Sequence, residues 1–366
     1  MGFQSRRRFV TRTAALAALP LIGTHTYGAG AHGSKRKLGF ALCGLGGLSE
    51  NQIAPALAKT EHCRLAGIVT DTAAKAQKWK AQYGIPDRSI YTYDTMAKMA
   101  NNPDIDVVYI VTPNALHAEQ TDIAAKAGNH VFCEKPMEVS VAKCQQMIDA
   151  CKAAKRKLGV AYRCQFDPNH LECIRLARTK EFGDIRIIEA AFGFPIGDAG
   201  QWRLTRALSG GGALMDVGIY ALQATRYLTG EEPAAVTAFE TKTDPVKFAE
   251  VDESIGWQAR FPSGVLANCS TSYEAAMLNR FRVHAERGWF GLEPAFNYSG
   301  NRGGRSDGRE IALPSIDLFA AEMDDFARCI LEDRESIVSG AEGLRDVKIM
   351  MAIYESAKTG RAVNLA

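Results

Sequence analysis

The chain has 366 residues, 46% of them apolar and 23% charged, with a formal net charge of +3. That length and balance suit two ordinary globular domains with proper cores. The charge is too small to argue for a nucleic-acid partner, and no basic block appears beyond the N-terminus.

At the N-terminus, Ser5-Arg6-Arg7-Arg8-Phe9-Val10 precedes an apolar run from Ala14 to Gly23. Ala29-Gly30-Ala31 then offers small residues for a cleavage site. The pattern resembles a twin-arginine export signal over residues 1–31 and predicts a mature periplasmic chain that starts near His32. The apolar run is too short to span a bilayer, so no membrane association is expected after export. The nine cysteines show no CxxC or Cys/His metal spacing. Free and mostly buried thiols are expected, and no metal.

Residues 35–161 alternate strand and helix. Strands are predicted at Leu38–Cys43, Arg64–Thr70, Asp106–Val111, His130–Cys133 and Leu158–Ala161, with helices at Thr72–Tyr83, Ala115–Ala127 and Val141–Lys155. The strands are too apolar and β-branched to be exposed. An α/β domain with a doubly wound parallel sheet of Rossmann type is predicted, its ligand-binding loops along one edge. From residue 162 to 366 the character changes. Helices are predicted at Pro168–Arg178 and Gly212–Leu228. Strands follow at Ala234–Thr241, Ser254–Phe261, Gly264–Ser272 and Arg280–Ala285, then a loop at Asn297–Arg309 and two helices, Ser315–Leu331 and Ala341–Lys358. This reads as an α+β second domain with a largely antiparallel, open sheet, serving substrate binding and oligomerisation.

Gly44-Leu45-Gly46-Gly47-Leu48-Ser49 follows the first strand and opens a helix. Glycines there let a backbone approach a pyrophosphate, whose charge the helix N-terminus favours. A dinucleotide site is therefore expected, with Ser49 in place of the third glycine. The end of the second strand reads Val69-Thr70-Asp71-Thr72-Ala73-Ala74-Lys75. If Thr70 holds the position of the ribose-binding acid, its hydroxyl and Lys75 suit a 2′-phosphate. If Asp71 holds it, NAD is favoured. The nearby lysine tilts the expectation to NADP. Thr112-Pro113-Asn114 follows the third predicted strand, where Pro113 and Asn114 can contact the ribose and nicotinamide, cap the next helix, or both. His117 lies one turn on and is placed on the cofactor side, off the catalytic residues.

Two motifs carry the chemistry. Cys133-Glu134-Lys135-Pro136 ends a strand at the carboxyl edge. Gly210-Gly211-Gly212 leads into Asp216-Val217-Gly218-Ile219-Tyr220, whose Asp216 and Tyr220 share a helix face. A lysine near a tyrosine favours the phenolate and lowers its pKa, giving a proton-transfer couple. With the glycine turn, the pair suggests hydride and proton transfer between a nicotinamide and an alcohol.

On these motifs the chain resembles the Gfo/Idh/MocA oxidoreductases, and within them the glucose–fructose and aldose–aldose oxidoreductase branch. The resemblance extends to Tyr162-Arg163-Cys164, Trp202-Arg203-Leu204 and Gly230-Glu231-Glu232-Pro233. It implies a catalytic Lys135, with Tyr220 where most members carry histidine, and Asp216 orienting the sugar. It implies cofactor contacts from Glu134, Lys135, Trp202, Arg203 and Tyr298, and from Thr70 and Lys75 on the 2′-phosphate. Arg163 is expected to line the same pocket or to support the cofactor. About five residues separate the expected cleavage site from the first strand, too few for the Pro-rich arm of glucose–fructose oxidoreductases. The branch then implies an aldose–aldose enzyme with tightly bound NADP, and a homodimer through the open sheet face. The alternatives are a polyol, inositol or glucose dehydrogenase with exchangeable NAD(P), and a non-catalytic sugar sensor holding NADP.

Overall fold

The computed structural model describes residues 36–365; the expected export signal at 1–31 lies outside them. The first sheet has six parallel strands: β1 (Leu38–Cys43), β2 (Cys63–Val69), β3 (Ile90–Tyr91), β4 (Val107–Ile110), β5 (His130–Cys133) and β6 (Leu158–Val160). Their order is β3-β2-β1-β4-β5-β6. β1 and β4 are buried along their whole length, as continuous apolar runs in a sheet covered on both faces must be. The strand order reverses between β1 and β4, so their carboxyl ends part and leave a crevice.

The second sheet has nine strands: β7 (Ile185–Gly193), β8 (Ala235–Thr241), β9 (Ser254–Arg260), β10 (Leu266–Ser272), β11 (Leu278–Ala285), β12 (Gly288–Leu292), β13 (Gly303–Arg305), β14 (Glu310–Ile311) and β15 (Val363–Asn364). They run in the order β14-β13-β12-β11-β7-β10-β9-β8-β15. All neighbours are antiparallel except β7 and β10. Along β9, Ile255, Trp257 and Ala259 are buried while Gly256, Gln258 and Arg260 are exposed. One face therefore packs under helices and the other is open.

The helix Pro168–Arg178 falls where its sequence places it: Pro168 fills the first turn and Asp167 caps the Asn169 amide at 2.7 Å. The predicted helix Gly212–Leu228 departs from its expected form. It begins as a π turn at Leu214–Gly218 and continues as the α-helix Ile219–Thr229. β7, absent from the sequence reading, is the central strand of its sheet. Arg186 and Glu189, both exposed, break its apolar run, and its partners lie far along the chain. The predicted loop at Asn297–Arg309 contains β13. All nine cysteines are free and buried, as expected.

Candidate functional site

A cleft of about 680 Å³ opens between the carboxyl edge of the parallel sheet and the helix Ile219–Thr229. Gly46, Gly47 and Leu48 line one end, and Glu134, Lys135, Asp216 and Tyr220 the middle. Phe192, Phe194, Ile196, Trp202, Phe296, Tyr298 and Phe319 add apolar and aromatic walls.

At the glycine turn, Gly44 has φ +97°, and a Cβ there would meet Thr112 Cγ2 at 2.9 Å. Both the backbone and the space demand glycine. Around Gly46 a Cβ would meet nothing within 4 Å, so the backbone faces open cleft. Ser49, buried, donates its hydroxyl to the Gly44 carbonyl at 2.6 Å, tying the turn where a third glycine is usual. The Leu45 carbonyl accepts from Lys75 Nζ at 3.0 Å, which brings that ammonium against the turn. The Gly44 amide bonds the Val69 carbonyl at 3.1 Å, so Thr70 is the first residue past β2 beside the turn. Thr70 is buried, its hydroxyl accepting from the Thr72 amide at 3.2 Å. Asp71 Oδ1 accepts from the Tyr93 amide at 3.0 Å. An open glycine backbone, a hydroxyl and an ammonium together fit a dinucleotide pyrophosphate and ribose.

The catalytic candidates meet. Glu134-Lys135 leaves the end of β5 and enters the cleft, and the Lys135–Pro136 peptide is cis. Lys135 Nζ donates to the Asp216 main-chain carbonyl and to its carboxylate at 3.2 Å, and lies 4.7 Å from the Tyr220 ring centre. Asp216 Oδ2 also accepts from Tyr273 Oη at 3.0 Å and pairs with Arg203 Nε at 3.1 Å. Burial pushes the Asp216 carboxyl upward, but Lys135 and Arg203 outweigh it and hold the pKa at about 2. Arg203 in turn lies over the Trp202 ring at 4.6 Å. Arg163 lies between the rings of Tyr220 and Tyr298.

Three expectations need correction. Lys135 is not the charge that acts most on Tyr220: burial raises that phenol well above its ordinary value, and the chief opposing charge is Arg163. Asp216, expected to hold sugar hydroxyls, has its oxygens engaged by Lys135, Arg203 and Tyr273. Its position makes it an anchor for two cations. His117 is fully buried, its ring nitrogens against the Met137 and Thr112 carbonyls at 3.1 and 2.9 Å, so it packs and does not reach the cleft. Asn114 lines the cleft, and its amide donates to the Ser209 carbonyl at 2.8 Å, joining the two halves of the chain. Pro113 precedes it outside the lining.

The sequence reading missed Tyr273 and Asp252. Asp252, buried, accepts from the Gly212 amide at 2.6 Å, the Leu214 amide at 2.8 Å and Tyr354 Oη at 2.7 Å. It thereby fixes the turn that carries Asp216 and Tyr220. The separation in sequence between Asp252 and Gly212 gave no local signal. Tyr273, just past the predicted strand Gly264–Ser272, offered only its position at a strand end.

A model of an oxidoreductase family with an NAD-binding Rossmann fold matches residues 38–162. A Gfo/Idh/MocA C-terminal domain model matches residues 170–291. The chain is 32% identical to a D-xylose 1-dehydrogenase [NADP(+)] of Haloarcula marismortui, over 89% of this chain and 92% of that protein. It is 30% identical to a D-xylose 1-dehydrogenase (NADP(+)) of Haloferax volcanii, over 89% of this chain and 99% of that one. Among solved structures, the aldose–aldose oxidoreductase of Caulobacter crescentus complexed with glycerol superposes with a TM-score of 0.87 and 46% identity, covering 90% of this chain and all of that one. Together with the strand–glycine turn–helix order and the Glu-Lys-Pro strand end, these matches establish that the chain belongs to the Gfo/Idh/MocA family of oxidoreductases, enzymes acting on CH–OH groups.

Proposed function

We propose that the protein is an NADP-dependent sugar oxidoreductase that retains its cofactor, oxidises an aldose at C1 to an aldonolactone and reduces a second aldose to an alditol. The observation that carries this reading is the meeting of Lys135, Asp216 and Tyr220 in one aromatic-walled cleft that Gly46 and Gly47 also line. The 46% identity to an aldose–aldose oxidoreductase supports the pairing of two sugars. Thr70 and Lys75 beside the glycine turn support NADP.

When bound, the nicotinamide supplies the hydride acceptor for the first sugar and the hydride donor for the second. Tyr220 takes the C1-hydroxyl proton as the lactone carbonyl forms. The same phenol returns that proton to the carbonyl oxygen of the second sugar. Lys135 has three N–H donors, two of which go to Asp216. Among the described residues the third has no acceptor and is offered to a sugar oxygen. The aromatic walls offer faces for sugar C–H groups and exclude water.

Export through the Ser5–Val10 motif belongs to the same reading, because an enzyme outside the cytoplasm gains from recycling its cofactor in place. N-terminal sequencing of the protein from its native envelope tests it; an intact Met1 counts against cleavage. A homodimer through the open sheet face, where Ile187, Phe239 and Leu266 are exposed, completes the picture and is checked by light scattering.

The deciding experiment purifies the protein without added cofactor and follows the absorbance of reduced nicotinamide. A rise on adding glucose that falls on adding xylose supports the cycle. The identity to two xylose 1-dehydrogenases favours a second reading, a sugar dehydrogenase with exchangeable NADP. That reading requires no change until NADP is supplied.

A further inference from the structure

Arg163 stands in the turn after β6 and is 3% exposed. Its guanidinium carbon lies 4.8 Å from the Tyr220 ring centre and 4.7 Å from that of Tyr298. Its two terminal nitrogens donate to main-chain carbonyls, Nη1 to Asn297 at 2.8 Å and Nη2 to Phe296 at 2.7 Å. Those bonds fix the plane of the group without neutralising it. Nε is buried and has no partner. Among the described residues no carboxylate bonds Arg163. Glu134 and Glu322, within its field, meet at the Tyr109 hydroxyl instead, at 2.8 and 3.4 Å. Lys135, by contrast, has its charge paired with Asp216.

We propose that Arg163, acting through Tyr220, is the cation that makes the phenolate reachable for proton transfer, while Lys135 is held by Asp216 for the sugar oxygen. The inference deepens the functional reading above and rests on Tyr220 being the proton-transferring group. The groups facing Tyr220 come from several elements. Glu134 and Lys135 come from the end of β5, Arg163 and Cys164 from the turn after β6, His170 from the helix Pro168–Arg178, Asp216 from its own helical segment and Tyr298 from the loop after β12. Glu134, Cys164 and Asp216 disfavour the phenolate, and Arg163 is the main charge favouring it. An opposite charge at such distances shifts a titration by about 1–3 pH units.

The test places a fluorinated tyrosine, whose phenol is more acidic, at position 220 and titrates its ¹⁹F signal. Arg163→Met and Arg163→Gln should each move the midpoint up by about 1–3 units, and Arg163→Lys should restore most of the difference. Sugar oxidation by the same Arg163 variants carrying the natural tyrosine should fall by about tenfold or more at neutral pH. The Gln variant keeps the test open if the Met variant does not fold. An unmoved midpoint in both neutral variants overturns the proposal, as does an equal shift from Lys135→Met. A shifted midpoint in a protein that oxidises no sugar would uphold the coupling and overturn the functional reading instead.

Discussion

Lys135 and Asp216 are joined twice: the ammonium donates to the main-chain carbonyl of Asp216 and, at 3.2 Å, to its carboxylate. The strand end of one sheet is thus tied to the π turn that covers the cleft. A π turn inserts one residue into a helix and re-aims its side chains, and such turns recur at functional sites. Here it sets Asp216 to face Lys135, Arg203 and Tyr273 at once.

Asp216→Asn should therefore impair the rate without unfolding the protein. Loss of charge-assisted hydrogen bonding costs about 1.5–3 kcal/mol, roughly ten- to a hundredfold in kcat. The substitution should also alter acid stability. The carboxyl falls from its ordinary 3.8 to about 2 in the fold, so its stabilisation is present above pH 3.8 and lost as pH falls through 2. The amount is about 2 kcal/mol. Denaturant midpoints measured from pH 5 to acid should show this loss in the parent and not in the variant. Equal acid sensitivity in both would remove Asp216 from the account.

Tyr220→Phe keeps the ring between Lys135 and Arg163, Phe192 and Phe296, and removes only the proton carrier. Turnover should drop by about 10²–10⁴-fold. The cofactor should remain bound, since the hydroxyl is not part of the glycine turn. Single-turnover kinetics beside a cofactor assay separates the two. Full activity in this variant would refute the proton-transfer role.

Much of this site was legible because its chemistry sits at strand ends and at the start of one helix, where short motifs announce themselves. Gly44–Ser49 and Glu134-Lys135-Pro136 lie along the one edge that a parallel sheet must create, and Asp216–Tyr220 faces them from the helical segment across the cleft. What the motifs could not convey was the balance of charge among them. Which cation serves Tyr220 depends on Arg203 and Tyr273 meeting Asp216, and on the Asn297 loop holding Arg163. Those partners are distant in sequence, and nothing in their own segments announces that they meet. His117 shows the opposite case: its position beside the Thr-Pro-Asn turn suggested a ligand, while packing uses both ring nitrogens. In the fold, β7 stayed hidden because one face of it is open and charged.

Cofactor preference can be tested at Thr70 and Lys75. A 2′-phosphate held by the Thr70 hydroxyl and the Lys75 ammonium gains charge-assisted bonds of about 1.5–3 kcal/mol. Thr70→Asp introduces a charge that repels the phosphate and can accept from ribose hydroxyls. NADP affinity should fall by about tenfold or more in Thr70→Asp and in Lys75→Ala, and NAD affinity should rise in the first. Fluorescence titration of the cofactor-stripped protein measures both. Unchanged NADP affinity in the two variants would place the 2′-position elsewhere.

Gly212 is held from two sides. Its amide donates to Asp252 Oδ1 at 2.6 Å, and a Cβ on it would stand 2.0 Å from the Asp252 main-chain oxygen. That oxygen is backbone, so it cannot rotate away, and the segment must shift instead. Gly212→Ala should cost about 1–3 kcal/mol, as overpacking in a closed region does. The displacement would pass directly to Asp216, four residues on, so activity should fall further than stability predicts. Gly256→Ala is the companion variant, because a Cβ there would meet nothing nearer than the Cys269 carbonyl oxygen at 3.9 Å. Denaturant midpoints and kcat of the two variants, read side by side, separate general loss of stability from displacement of the turn. If Gly212→Ala lost stability but kept full kcat, the Asp252 clamp would be structural support alone, with no hold on the catalytic geometry.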